Sequence, residues 1–158
     1  LHGHVVGGGL VLAAACDLRV ASIETSFSIP EVDLGIPLAW GGIPRLVREI
    51  GPALTKELVM TCRPFDAEEA SEIGFVNKVT TIDEIDSAVN DLVSIIAAKS
   101  RIATLSTKAH VNAVTSQMVG TVRSWADADG LEVAMADPES QEAQAEYLAQ
   151  IKKKKSDS

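Results

Sequence analysis

Val5-Val6-Gly7-Gly8-Gly9-Leu10 places two β-branched residues, three glycines and a run of helix formers in the order that builds a strand, a tight turn and a helix opening at that turn. The first N–H groups of such a helix have no internal partner and lie at the positive end of its dipole. They therefore suit an anion or a developing oxyanion. Phosphate binding is the first chemistry to weigh. No Gly-Lys-Ser/Thr ending follows the glycines, and Leu12 stands where the dinucleotide fingerprint needs its third glycine. An oxyanion hole remains as the functional reading, beside a turn whose glycines serve only close helix packing.

The other reactive residue types are sparse. His2 and His4 form an i, i+2 pair with no third ligand at metal spacing, so they read as core or edge histidines, as does His110 on its helix. Cys16 and Cys62 lie far apart with no C-x-x-C, which points to two reduced thiols and neither a zinc site nor a disulfide scaffold. The 158 residues are 46% hydrophobic and 23% charged, enough to bury one core, and the formal charge of −8 speaks against a nucleic-acid or anionic-membrane surface. Lys152 to Lys155 form a single basic run, whose default reading is a solvated tail. Val5 to Cys16 is uncharged and ends in small residues, but it lacks a basic flank, is broken by glycines and is too short to span a bilayer. A cytoplasmic protein is expected, and Leu1 in place of Met suggests a fragment or processed chain.

The elements that must position the turn alternate. Asp17 to Ser22 and Ser26 to Ile29 read as short strands, the second closed by Pro30. A Gly/Pro-rich loop leads into a helix from Arg45 to Ile50, stopped at Gly51-Pro52, with a second from Leu54 to Met60. Asp66 caps a helix from Ala67 to Ile73, Gly74 stops it, and Phe75 to Val79 is expected as a strand. Helical spacing then dominates, in Ile85 to Ile96, Ile102 to Val114, Trp125 to Met135 and Gln141 to Ile151. The chain thus divides into an α/β part, 1–80, and a helical part with a basic tail, 81–158.

Val6-Gly7-Gly8-Gly9-Leu10 with Cys16-Asp17-Leu18-Arg19-Val20-Ala21, Phe27-Ser28-Ile29-Pro30-Glu31-Val32-Asp33-Leu34-Gly35, Gly41-Gly42-Ile43-Pro44-Arg45-Leu46 and Phe65-Asp66-Ala67-Glu68-Glu69-Ala70 closely resemble the crotonase (enoyl-CoA hydratase/isomerase) superfamily, in order and in spacing. The resemblance covers nearly the whole chain. It implies an α/β fold: a truncated crotonase-like ββα spiral core with a C-terminal helical trimerisation region. The N-terminal half of the family's core, including one oxyanion donor loop, has no counterpart in these residues.

The resemblance also implies an acyl-CoA thioester as substrate, no cofactor beyond the CoA that the substrate carries, no metal, a homotrimer or hexamer, and a place in fatty-acid metabolism. Gly8 matches one backbone oxyanion donor, with Gly7 beside it, and Glu31 matches the family's second catalytic carboxylate. Ile29, Val32 and Leu34 surround Glu31 and would desolvate it, raising its pKa toward neutrality; a solvated loop glutamate is the competing reading. Val11 stands where the family's hydratases carry their first glutamate. A valine neither accepts nor donates a proton, so the resemblance points to an isomerase-type shuttle with Glu31 as single base. Ala39 stands where a dienoyl-CoA isomerase would carry a further carboxylate. Trp40 could line an acyl pocket or simply pack, Asp33 suggests a structural or specificity role, and Lys152 could reach a CoA phosphate. The alternatives are an enoyl-CoA hydratase, a non-catalytic member acting as an oligomerisation subunit, and a nucleic-acid-binding relative, which the acidic balance disfavours.

Overall fold

The computed structural model of the chain describes residues 1–124 and 126–156. β1 (His4–Val6) runs into the glycine turn and α1 (Gly8–Ala14); β2 (Val20–Ser22) and β3 (Ser26–Ser28) follow. β3 is the centre of a three-stranded sheet, parallel to β1 with Val6 opposite Ser28, and antiparallel to β4 (Phe65–Asp66). Alternation within these strands sends Val5 and Phe27 inward while Val6 stays exposed. Phe27 stacks on Phe65 at 5.1 Å between ring centroids and meets Phe75 edge-on at 6.0 Å, so the chain's three phenylalanines form one core cluster. Leu10, Ala14, Ile29, Leu46 and Leu58 complete it from α1, the end of β3, and α2.

Helix α2 (Gly42–Thr61) is interrupted at Gly51 (φ 78°, ψ 168°) ahead of Pro52, which is the stop expected there. Asp66 accepts a hydrogen bond from Glu69 N at 2.8 Å and caps α3 (Ala67–Glu72) as its sequence requires. The strand expected over Phe75 to Val79 is displaced: β5 is Lys78–Thr80, paired in parallel with β2. Val76 N instead donates to Ala70 O, and Phe75 and Val76 close the end of α3 over the core. β2 is likewise shorter than the run from Asp17, because Arg19 turns inward.

Arg19 is only 4% exposed. Its guanidinium donates to Cys16 O (2.7 Å) and Ala13 O (3.4 Å) at the end of α1 and to Phe75 O, pairs with Glu49 of α2 at 2.5 Å, and lies over the Phe75 ring. One charged side chain thus fastens the C-terminal end of α1 to α2 and to the β5 approach.

Beyond β5 come α4 (Ile85–Ala97), α5 (Arg101–Met118), α6 (Asp127–Ala136) and α7 (Pro138–Ser156). The helices match those expected; Trp125, expected to open one of them, lies outside the described residues. α5 buries none of its residues, and Val93, Ile102, Leu105 and Met118 are exposed. Amphipathic faces of this kind have no covering among the described residues. No helix among the described residues is long and apolar enough to cross a membrane.

Candidate active site

Because β1 and β3 are parallel and end at the same level, whatever follows β1 meets whatever follows β3. Gly7 N donates to Ser28 O at 3.0 Å, which pins the glycine turn to the end of β3. Ile29 is buried, Pro30 ends the extended run, and the next residue is Glu31. Leu34 N and Ile36 N both donate to the Glu31 carbonyl, at 3.1 and 3.0 Å, coiling residues 31–36 into a tight turn that holds the side chain toward Gly7.

Two of the three glycines are occupied by neighbours. A Cβ on Gly7 would lie 2.5 Å from Glu31 Oε1, and Gly7 also has φ 52° and ψ −116°, a conformation costly for any residue with a side chain. A Cβ on Gly8 would collide with the Trp40 ring, whereas a Cβ on Gly9 would meet nothing. No side chain caps α1, so the N–H groups of its first turn face the site without such a partner. Close packing and a free helix terminus are therefore properties of the same turn.

Glu31 is partly buried. Its Oε2 is sequestered and accepts no hydrogen bond among the described residues. Burial pushes its pKa above the ordinary carboxylate value, against a smaller lowering from its own backbone N–H. Val11, one turn into α1, is 5% exposed and belongs to the core; its Cγ2 sits where a Cβ on Gly42 would come within 2.9 Å, with Leu38 alongside. Trp40 is 72% exposed, with φ 57°, and one part of its ring covers Gly8.

Gly7 is thus brought against Glu31 and Gly8 against Trp40, while Val11 packs in the core one turn further along α1. Lys152 is not: it is exposed on α7, about 18 Å along that helix from Ser140, where α7 packs on Gly35 beside the Glu31 turn. The side chains of Lys154 and Lys155 lie outside the described residues. His2, His4 and His110 are exposed, so none is a core histidine. A groove of about 340 Å³ next to the Glu31 turn is lined by Val32, Gly35, Ile36, Asp137, Glu139 and Ser140, and neither Gly8 nor Glu31 opens into it.

Two residues were not singled out by sequence reasoning. Arg19 looked like the polar partner in an alternating strand. Asp127 carries no local signal of a role, yet its Oδ2 accepts from Gly41 N at 2.8 Å, next to Trp40. Separations of 58 residues between Arg19 and Asn77 and 86 between Asp127 and Gly41 leave no local signal.

The enoyl-CoA hydratase/isomerase family matches residues 1–156 of the chain. The chain belongs to this family. A crotonyl-CoA hydratase of Syntrophomonas wolfei is 34% identical over 152 residues, covering 96% of this chain and 58% of that protein. The peroxisomal Delta(3,5)-Delta(2,4)-dienoyl-CoA isomerase of Arabidopsis thaliana is 41% identical over 110 residues, 69% of this chain and 40% of that protein. An enoyl-CoA hydratase from Mycobacterium smegmatis superposes with a TM-score of 0.76 at 25% identity, over 85% of this chain and 61% of that one. This family member therefore spans between 40% and 61% of the length of these relatives. Its fold is the part of the α/β crotonase core that these residues span, with helices following, as the sequence suggested.

Proposed function

We propose that these residues form the C-terminal side of an acyl-CoA site that moves a proton between C2 and C4 of an enoyl-CoA. The observation that carries the reading is the Glu31 carboxylate: packed against Gly7 next to Gly8, desolvated, with Oε2 accepting no hydrogen bond among the described residues. The Glu31 carboxylate takes the C2 proton of a 3-enoyl thioester. The electron pair of that bond becomes C2=C3, the C3=C4 pair takes a proton from Glu31 at C4, and negative charge on the thioester oxygen is met by Gly8 N–H. One donor of such a hole is worth about a hundredfold to a thousandfold in rate.

Hydration is the second reading, favoured by the name of the 34% identical crotonyl-CoA hydratase. It needs a group to hold and activate water opposite Glu31, and Val11 supplies none. Dienoyl isomerisation is disfavoured by Ala39 in the same way. Lys152 and the following lysines would meet the CoA phosphates only from a neighbouring subunit or through a bent tail, given the distance along α7. The uncovered apolar faces of α4 and α5 support a trimer or hexamer, and two unbridged cysteines support a cytoplasmic location. No cofactor other than the substrate's own CoA enters the reaction, and no metal takes part.

The test follows C2 proton exchange by NMR in D2O, with a 3-enoyl-CoA and with crotonyl-CoA. Isomerisation and exchange that vanish in Glu31→Gln support the single-base reading. Efficient hydration of crotonyl-CoA by the unaltered protein overturns it in favour of the hydratase. A stable oligomer with no turnover of either thioester favours a non-catalytic subunit.

A further inference from the structure

Trp40 is held in an unusual way. It is an aromatic residue at φ 57°, followed by Gly41 at φ 67°, and most of its ring is in solvent. Exposure should leave such a side chain free to adopt an ordinary backbone conformation, since a bulky residue at positive φ is strained. Two contacts oppose that relaxation. One is the indole packed on Gly8, a position that only the missing Cβ leaves open. The other is the hydrogen bond from Gly41 N to Asp127 Oδ2, which ties the Trp40 loop to the first residue of α6. Gly42 then starts α2 against Val11 and Leu38, so the loop is anchored on its other side as well.

The consequence is geometric. The Glu31 carboxylate lies against Gly7 and the indole against Gly8, consecutive residues of one turn. An acyl group whose thioester oxygen reaches Gly8 N–H and whose C2 reaches Glu31 has the indole as its next neighbour. We propose that Trp40 is the specificity-determining residue of this site, a wall that admits short acyl chains and excludes long ones, and that Asp127 is the positioning residue that keeps the wall in place. The proposal rests on the acyl-CoA reading above and deepens it by assigning the chain length and the element that sets it. Neither residue exchanges a proton with substrate. Their effect is on which chain fits, because an apolar wall discriminates by the space it leaves, about tenfold or more for each methylene that must be displaced.

The experiment compares C4 and C10 enoyl-CoA thioesters, by calorimetric affinity and by kcat/KM, in the unaltered protein, Trp40→Ala, Asp127→Ala and Asp127→Asn. The expected result is a C10-to-C4 ratio that rises at least about tenfold in Trp40→Ala and in the same direction in Asp127→Ala. Asp127→Asn, whose amide oxygen still accepts from Gly41 N–H, restores the original ratio. Equal losses for both chain lengths, or a ratio unchanged in Trp40→Ala, overturn the wall. A ratio shifted by Trp40→Ala but not by Asp127→Ala overturns the positioning role. Failure of every form to bind either thioester overturns the acyl-CoA reading itself and this proposal with it, an outcome distinct from binding without discrimination.

Discussion

The three consecutive glycines provide an internally controlled experiment, since each faces a different neighbour. In Gly7→Ala the new methyl lies 2.5 Å from Glu31 Oε1, whereas ordinary van der Waals contact begins at 3.4 Å. The carboxylate must therefore retreat by about 1 Å, a displacement that typically costs about a hundredfold in rate when it moves a reacting group out of line. The backbone adds to this. At φ 52° and ψ −116° an alanine is strained by at least about 1–2 kcal/mol, a loss of about 2–4 °C in Tm for each kcal/mol in a chain of this size. Gly9→Ala is the control: it lies in α1 with nothing within 4 Å, so removing backbone freedom from the unfolded chain should raise stability by about 0.5–1 kcal/mol without loss of exchange. The assay is deuterium incorporation at C2 of the thioester, with thermal unfolding recorded on the same samples. Because Gly7→Ala acts through Glu31, it should slow the unaltered protein far more than it slows Glu31→Gln. Gly7→Ala retaining exchange within about threefold, or slowing Glu31→Gln by its full factor, would show that the carboxylate against Gly7 is not the reacting group.

Three further outcomes follow from the same geometry. Burial raises the Glu31 pKa, so the acidic limb of kcat/KM lies above the ordinary carboxylate range. The folded state also holds the Glu31 proton more tightly than the unfolded one, so its contribution to stability is present at low pH and is lost as pH rises through the folded-state pKa; urea titrations across that window should show the slope, and Glu31→Gln should remove it. Val11→Glu puts a larger, ionisable side chain at a 5% exposed position against Leu38 and Gly42; a loss of about 2–3 kcal/mol and a gain of crotonyl-CoA hydration are expected, and hydration that stays absent in a folded variant would count against the role given to this position. Arg19→Leu leaves the carbonyls of Cys16 and Phe75 without the Arg19 donor and Glu49 with the 3.4 Å contact to Arg48, so chemical denaturation should report a loss of about 3 kcal/mol.

Much of the scaffold is written locally. The break in α2 needs only Gly51-Pro52, the start of α3 needs only Asp66 three residues before Glu69, and the helices after residue 81 announce themselves by apolar spacing. Glu31 was legible as a carboxylate set in an apolar run, but the neighbour the fold puts against it is Gly7, far back in sequence, while Val32 stays exposed. The span over Phe75 to Val79 misled because a β-rich composition says nothing of pairing. β5 begins at Lys78, since that is the residue opposite Val20, and Phe75 and Val76 go to the core instead. The basic run at Lys152 is easy to see, but its distance from Glu31 within one chain is set by how far α7 extends.

By itself, the sequence determined the turn, the helix that opens at it, the candidate base and the missing second carboxylate, because each depends on residue type and on neighbours a few positions away. Only the tertiary structure decided that the glycine turn and Glu31 meet, through the parallel register of β1 and β3. It also decided that Gly7 makes room for the carboxylate and Gly8 for the Trp40 ring, and that Arg19 and Asp127 hold α1 and the Trp40 loop from distant segments. The physical reason is the range of the forces involved. Propensity and capping act over one turn of chain, whereas burial, steric exclusion and hydrogen bonding act on whatever the fold brings within a few ångströms.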